Sequence, residues 1–172
     1  MQTERTAIRI EQAESDADYE LARQLFEEYA AALGVDLCFQ NFASELKDLR
    51  GPYGPPAGGL LLARAEGTPA GCIALRCLDP QCCEMKRLYV RPAHRGSGLG
   101  RRLAEKLIEQ AKAKGYRRMV LDTLESMDTA RALYVRLGFR ESEAYYANPL
   151  TGVHYMALDL EGGGRPDPRA TS

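Results

Sequence analysis

The order of apolar and polar positions predicts helices followed by a run of strands in the first half of the chain. Apolar residues at helical spacing between residues 16 and 33 predict a helix that ends at Gly34. A short strand is expected before it, at residues 6–11, and a shorter helix after it, at residues 42–49. The glycine- and proline-rich run 51–59 predicts a loop. Three strands joined by tight turns are expected next, at 60–65, 70–78 and 82–90.

The second half of the chain alternates predicted helices with strands. Apolar residues three or four positions apart between residues 99 and 111 predict a helix that ends at Gly115. A second such stripe predicts a helix with Ser126 as its N-cap and Gly138 at its end. The remaining strands are expected at 119–123, 139–146 and 153–160, and residues 161–172 are expected to form a disordered tail.

This element order defines the fold class. Strands outnumber helices, and helices interrupt the strand order, which predicts an α+β fold with a mixed, mostly antiparallel central sheet and helices on both faces. With 172 residues and 45% hydrophobic content, the chain fits one domain, expected at residues 6–160. It has no run of about 18 apolar residues, the length that a membrane span requires. We therefore expect a cytoplasmic protein with no membrane contact.

The formal net charge of −1 hides a strongly basic segment. Residues 86–118 contain eleven Lys or Arg and two acidic residues, Glu105 and Glu109. Such a block in an otherwise acidic chain indicates a local polyanion site, whereas a nucleic-acid-binding protein is usually basic over a whole face. We therefore expect a small phosphorylated ligand and no nucleic acid.

The cysteines and histidines point to neither disulfides nor a metal. The five cysteines are odd in number and none forms a C-x-x-C pair, which favours reduced thiols. His94 and His154 are the only histidines, and no metal-binding motif contains them, so no metal is predicted. Cys82 and Cys83 raise the alternative of an acyl-cysteine mechanism, although no sequence feature suggests that either thiol is activated.

The strongest local signal is the segment Arg-Gly-Ser-Gly-Leu-Gly at 95–100, between a predicted strand and a predicted helix. Alternate glycines let the backbone approach an anion, and the helix start offers unpaired N–H groups and the positive end of its dipole. The pattern favours phosphate binding, although such glycines can also form a tight turn without a ligand. A dinucleotide-binding G-x-G-x-x-G motif does not fit, since Arg101 and Leu103 stand where glycine is required, and no P-loop G-K-[ST] follows.

Arg95, Gly98 and Gly100 match the pattern R/Q-x-x-G-x-G/A, and the chain resembles the GNAT superfamily of acyl-CoA-dependent N-acyltransferases. The resemblance extends over residues 8–158 and includes the strand end 88–90 and the helix 130–139. It implies acetyl-CoA as cosubstrate and two central strands that separate where the coenzyme enters. It also implies cofactor contacts from Leu88, Tyr89, Val90, Arg95, Gly96, Ser97, Gly98, Gly100 and Arg101.

The same resemblance suggests the proton carriers. Tyr134 lies where many family members have the tyrosine that protonates the departing CoA thiolate; the alternative is a core residue on the apolar stripe. Glu84 matches the general-base glutamate of the histone acetyltransferase branch; the alternative is a strand-edge residue paired with a nearby arginine. Met127 stands where the family often has an asparagine that contacts the pantetheine, and a thioether cannot replace the amide donor.

The resemblance also places the acceptor and the reaction. The expected reaction is direct acetyl transfer to a primary amine of a small molecule or peptide in a ternary complex, with a backbone amide near Leu88 polarising the carbonyl. The alternative is a non-catalytic CoA-sensing or partner-binding module on the same fold. The sequence leaves the assembly open, with a homodimer as one option. Acceptor contacts are expected from Phe39, Gln40, Tyr53, Tyr145, Tyr146, Asn148 and His154.

Overall fold

A seven-stranded sheet with the order β1-β2-β3-β4-β5-β7-β6 forms the centre of the computed structural model, which describes residues 7–34, 36–37 and 41–161. Neighbouring strands are antiparallel except β4 and β5, which run parallel, so the predicted mixed sheet is confirmed. The strands are β1 Ile8–Gln12, β2 Gly59–Ala65, β3 Thr68–Cys77, β4 Cys82–Val90, β5 Arg118–Leu124, β6 Arg140–Glu141 and β7 Val153–Asp159.

Helices cover both faces of the sheet, as predicted. On one face, α1 and α3 bury Leu25, Phe26 and Tyr53 against the strands, and on the other α4 buries Leu103 and Leu107. Within the described part of the chain, no helix combines the length and apolar character needed to cross a bilayer. The helices are α1 Asp16–Leu33, α2 Phe42–Lys47, α3 Arg50–Tyr53, α4 Leu99–Ala113 and α5 Asp128–Arg136.

Three predicted boundaries are wrong. The expected loop 51–59 begins within α3, because the fully buried Tyr53 ring packs edge-on against Phe26, with 5.8 Å between ring centres. Helix α5 begins after Met127, and Ser126 does not cap it. Strand β6 has two residues in place of the expected 139–146, because the chain leaves the sheet after Glu141. Of the expected disordered tail 161–172, only residue 161 is described, so the prediction for residues 162–172 lies outside the described residues.

The two central strands separate after a short paired stretch. Strands β4 and β5 pair only where Cys82, Cys83 and Glu84 lie opposite residues 118–120. Beyond Glu84 the two strands diverge, so the second half of β4 faces a gap instead of a neighbouring strand. This gap positions the candidate active site.

Candidate active site

A bulge in β4 forms one wall of the gap. Arg87 and Leu88 together lie opposite a single β3 residue, Ile73, and Arg87 has a left-handed backbone with φ of 60°. An L-residue adopts this conformation at a cost of about 1–2 kcal/mol, so surrounding contacts must stabilise it. The Arg87 side chain supplies such contacts, because its guanidinium lies over the rings of Phe42 and Tyr29, at 5.2 and 5.6 Å from their centres.

Glu45 of α2 fixes the bulge through a buried ion pair that sequence analysis missed. Its two carboxylate oxygens accept hydrogen bonds from Arg87 Nε at 3.0 Å and Nη2 at 3.1 Å. Tyr53 Oη donates a third bond at 2.7 Å. Burial alone would raise the pKa of Glu45, but the charge and hydrogen bonds of Arg87 outweigh it and hold the pKa below its usual value. Tyr53, expected to contact the acceptor, instead lies in the core and supports Glu45.

A small cavity lies where β4 and β5 separate, and it brings together several side chains that can do chemistry. Leu88 and Tyr134, both predicted, line it, together with Met127 at its expected place. The sulfur of Met127 accepts a weak hydrogen bond from Thr123 Oγ1 at 3.7 Å, so this residue contributes apolar surface and no donor. The other lining residues are Tyr29, Leu33, Leu37, Met85, Lys86, Arg87, Asp122, Thr123, Leu124, Asn148 and Leu150.

Tyr134 is placed to donate a hydrogen bond inside this cavity. Its ring packs against Phe139 with 5.8 Å between ring centres, which fixes its direction. Burial raises the pKa of its hydroxyl well above the ordinary phenol value, because the charged form would lose its hydration. The hydroxyl forms no hydrogen bond with any other described residue. Tyr134 therefore presents a protonated phenol to whatever occupies the cavity.

Glu84 is not among the residues that line the cavity, and it has the arginine partner of the alternative interpretation. Its side chain is 2% exposed, and its Oε1 pairs with Arg76, whose Nη2 lies 2.9 Å away. Its Oε2 accepts a hydrogen bond from Tyr145 Oη. Both carboxylate oxygens are thus engaged, which fits a strand residue paired with an arginine better than a general base.

Asp122 is the carboxylate that does line the cavity, and sequence analysis missed it. Its Oδ2 accepts hydrogen bonds from Tyr146 Oη and, at 3.0 Å, from Asn148 Nδ2. Tyr146 and Asn148 were expected near the acceptor, and both lie on the segment that leaves the sheet after β6. One acidic residue within the apolar strand Met-Val-Leu-Asp-Thr-Leu is the signal that could have revealed it.

The predicted phosphate loop lies at the start of α4 with its backbone open to solvent. Gly98 is the N-cap, has φ of 80°, and has no atom within 4 Å of the position that a Cβ would occupy. Gly96 has the same φ and the same open space. Since no side chain caps the helix, its first N–H groups remain available to an anion.

The side chains around this loop are cationic or already bonded. Arg95 Nε donates to the Val90 carbonyl at 2.9 Å, and its guanidinium lies 5.9 Å from the ring centre of Tyr89. Arg95 pairs with no carboxylate among the described residues, whereas Arg101 pairs with Glu105 at 2.7 Å. Ser97 Oγ donates to the His94 carbonyl at 2.7 Å and so stiffens the turn. Arg95 is therefore the loop cation best able to meet a pyrophosphate.

The remaining predicted residues lie elsewhere. His154 is not among the residues that line the cavity, and its Nδ1 lies 3.0 Å from Glu141 Oε1. Phe39 and Gln40 lie outside the described residues. In the part of the chain that is described, no three His, Cys, Asp or Glu side chains are grouped to hold a metal ion.

Known proteins resemble this chain in sequence and in fold. Residues 19–139 match the acetyltransferase (GNAT) family. An uncharacterized N-acetyltransferase of Schizosaccharomyces pombe is 44% identical over 155 residues, covering 89% of this chain and 95% of that protein. A GNAT-family acetyltransferase from Staphylococcus aureus aligns with a TM-score of 0.74 at 21% identity, covering 90% of this chain and 99% of its own. A protein from Salmonella typhimurium solved with its cofactor acetyl-CoA aligns with a TM-score of 0.65 at 23% identity, covering 94% and 99%. The chain therefore belongs to the GNAT family and is an acyl-CoA-dependent acetyltransferase.

Proposed function

We propose that this enzyme transfers an acetyl group from acetyl-CoA directly to a primary amine within a ternary complex. The observation that carries the proposal is the shared cavity: Tyr134, Asp122 and the bulged strand at Leu88 line one space between the diverging strands. A proton donor and a carboxylate thus line the same cavity from two elements. Direct transfer needs such convergence, because amine and thioester must meet in one site.

The proposed chemistry assigns one proton transfer to each of two residues. Acetyl-CoA supplies the activated acyl group. Asp122 accepts a proton from the acceptor ammonium, directly or through water, so that the neutral nitrogen can form the C–N bond. As the C–S bond breaks, the protonated Tyr134 hydroxyl donates its proton to the departing thiolate, whose conjugate acid has a pKa of about 8.5, and the second proton of the nitrogen, released as the amide forms, restores the phenol. A backbone amide of the bulge near Leu88 polarises the carbonyl.

Binding of acetyl-CoA is assigned in this proposal to two backbone segments, the loop 95–100 and the strand end 88–90. Gly96, Gly98, Gly100 and the N–H groups at the start of α4 would hold the pyrophosphate, with Arg95 and Arg101 beside them. The strand end 88–90 would hold the pantetheine, because its edge toward β5 is unpaired beyond Glu84. The Salmonella protein solved with acetyl-CoA supports this choice of donor through its shared fold.

The cysteines give little support to a covalent mechanism. Burial raises the pKa of Cys82 and raises that of Cys83 to about 12, so neither of the two candidate nucleophiles is activated as a thiolate. A buried neutral thiol is a poor nucleophile. Direct transfer therefore fits the described thiols better than an acyl-cysteine.

The test is an acceptor screen that measures thiol release from acetyl-CoA, followed by initial-rate kinetics on the best amine. Intersecting line patterns are expected, and Asp122→Asn should lower kcat/KM by about 100-fold, a typical general-base contribution. Glu84→Gln is the matched control and should lower it much less, provided that both variants keep their unfolding temperature. Parallel lines with an isolable acyl-enzyme would contradict direct transfer, and CoA binding without any thiol release would favour the non-catalytic alternative.

A further inference from the structure

Lys86 is a buried cation that lines the candidate active site, and its one ion pair with a described residue, to Glu45, is long. Its side chain is 8% exposed, and its Nζ lies 3.7 Å from Glu45 Oε1, beyond hydrogen-bond distance. Burial lowers the pKa of Lys86, and the neighbouring charge of Arg87 lowers it further. An ammonium in this position has lost most of its hydration without a hydrogen bond to a carboxylate in exchange.

The nearby carboxylates are engaged by other groups. Glu45 accepts two bonds from Arg87 and one from Tyr53. Glu84 is engaged by Arg76 and by Tyr145. Among the described residues, neither carboxylate has a hydrogen bond to Lys86. Glu45 lies beside two cations, Arg87 and Lys86, so it balances only one of these two positive charges.

Asp122 shows the complementary situation in the same cavity. Its hydrogen-bond donors, Tyr146 and Asn148, are neutral, and it forms no ion pair with a described Lys or Arg. Lys86 and Asp122 thus carry opposite charges and line one cavity, yet they do not pair with each other. An internal ion pair would satisfy both, and its absence among the described contacts leaves one positive and one negative subsite.

We propose that the acceptor is an amine that also carries a carboxylate, as a free amino acid does, with Lys86 receiving the carboxylate and Asp122 the ammonium. The inference rests on the proposed acetyl transfer and narrows its acceptor. A simple amine would leave the excess positive charge of Lys86 and Arg87 over Glu45 unbalanced, and a polyamine would bring further positive charge close to them. A zwitterion satisfies both subsites.

The first test needs only the wild-type enzyme and matched acceptors. Free amino acids are compared with their methyl esters, which keep the amine and lose the negative charge. A hydrogen bond to a charged group supports a preference of about 10- to 100-fold in kcat/KM for the free acid. Equal or higher kcat/KM for the esters would overturn the proposal.

The second test assigns the preference to Lys86. Lys86→Met keeps the apolar stem and removes the charge, and it should reduce the acid-to-ester ratio to about one. Lys106→Met is the control, because Lys106 Nζ bonds the Ile10 carbonyl on the α4 face, and it should keep the wild-type ratio. Lys86→Gln serves as a second variant, and thermal unfolding with CoA checks that each protein folds. A loss of the same size for acid and ester would indicate a structural role and contradict the assignment.

The experiments distinguish failure of the carboxylate subsite from failure of the proposed acetyl transfer. If esters and simple amines release thiol while free acids do not, acetyl transfer stands and the carboxylate subsite is wrong. If no acceptor releases thiol, acetyl transfer fails, and calorimetry of the CoA-bound enzyme with a free amino acid and with its ester decides the subsite. Binding of the acid alone, lost in Lys86→Met, would support the subsite; equal or absent binding would overturn it.

Discussion

The predicted phosphate loop and the proposed acceptor face, meaning the side chains around the cavity between β4 and β5 and those that support them, are built in opposite ways. The loop uses consecutive residues, 95–100, and presents backbone N–H groups that open to solvent. The acceptor face uses side chains from α2, β4, β5 and the segment after β6, and its central ion pair joins Glu45 to Arg87 across 42 positions of sequence. An anion site of backbone groups can be encoded within six residues, whereas a site of buried charges requires partners that only the tertiary fold brings together.

The largest effect is expected from breaking the Glu45–Arg87 pair. Glu45→Ala leaves the Arg87 guanidinium buried without its carboxylate, which should lower the free energy of unfolding by about 3 kcal/mol. Glu28→Ala is the control, because Glu28 and Arg91 also pair at 3.0 Å but are 39% and 28% exposed. Removing that exposed partner should lower the free energy by less than about 1 kcal/mol. Urea denaturation measures both, and equal losses would show that burial does not distinguish the two pairs.

The next effect concerns the loop and should leave the fold intact. Gly98→Glu puts a negative side chain into the space proposed for the pyrophosphate and should weaken CoA binding by about 100-fold. Gly67→Glu is a matched control, because Gly67 has φ of 81° and equally open surroundings in the turn between β2 and β3. Both variants therefore carry similar backbone strain. Calorimetry with CoA should show wild-type affinity for Gly67→Glu, and equal affinity of the two variants would contradict the loop assignment.

A smaller effect is expected at Tyr134, where the two regions meet. Tyr134→Phe removes one hydrogen bond to the departing thiolate and should lower kcat by about 10- to 100-fold, with acetyl-CoA affinity nearly unchanged. Because burial raises the pKa of Tyr134, the phenol stays protonated through pH 10. The wild-type to variant ratio of kcat should therefore stay constant from pH 7 to about 10. A ratio that falls toward one near pH 10 would mean that the hydroxyl ionises at its ordinary pKa.

The same contrast explains what the sequence could predict. The helix from residue 99 and the glycine loop depend on local spacing, so both were located correctly. The length of β6 was not, since Tyr145 and Tyr146 leave the strand pattern to bond Glu84 and Asp122, which lie 61 and 24 positions away. Proposing Asp122 instead of Glu84 as the base likewise required knowing that Arg76 engages Glu84 and that Asp122 lines the cavity.

The smallest effect is expected at Asp18, whose carboxylate accepts hydrogen bonds both from neighbours in sequence and from a distant residue. The backbone N–H groups of Glu14 and Ser15 donate to its Oδ2 at 3.0 and 3.1 Å, and Arg64 Nη2 donates to Oδ1 at 2.8 Å. These bonds, the backbone ones first, lower the pKa of Asp18 from 3.8 to about 2. The stabilisation is therefore complete above pH 4 and is lost as the pH falls toward 2.

Asp18→Asn should lower the free energy of unfolding by about 1 kcal/mol at pH 7, since the carboxylate is partly exposed to solvent. The difference from wild type should shrink as the pH falls from 4 to 2, because the wild-type carboxylate then takes up its proton. Arg64→Met removes only the distant partner, whereas Ser15→Ala removes only the local bond from Asp18 N to Ser15 Oγ. Because the backbone donors lower the pKa of Asp18 most, Arg64→Met should keep most of the pH dependence of the free energy of unfolding. Urea denaturation at a series of pH values measures this dependence. Loss of that dependence in Arg64→Met would mean that Arg64, and not the backbone N–H groups of Glu14 and Ser15, holds the carboxylate ionised.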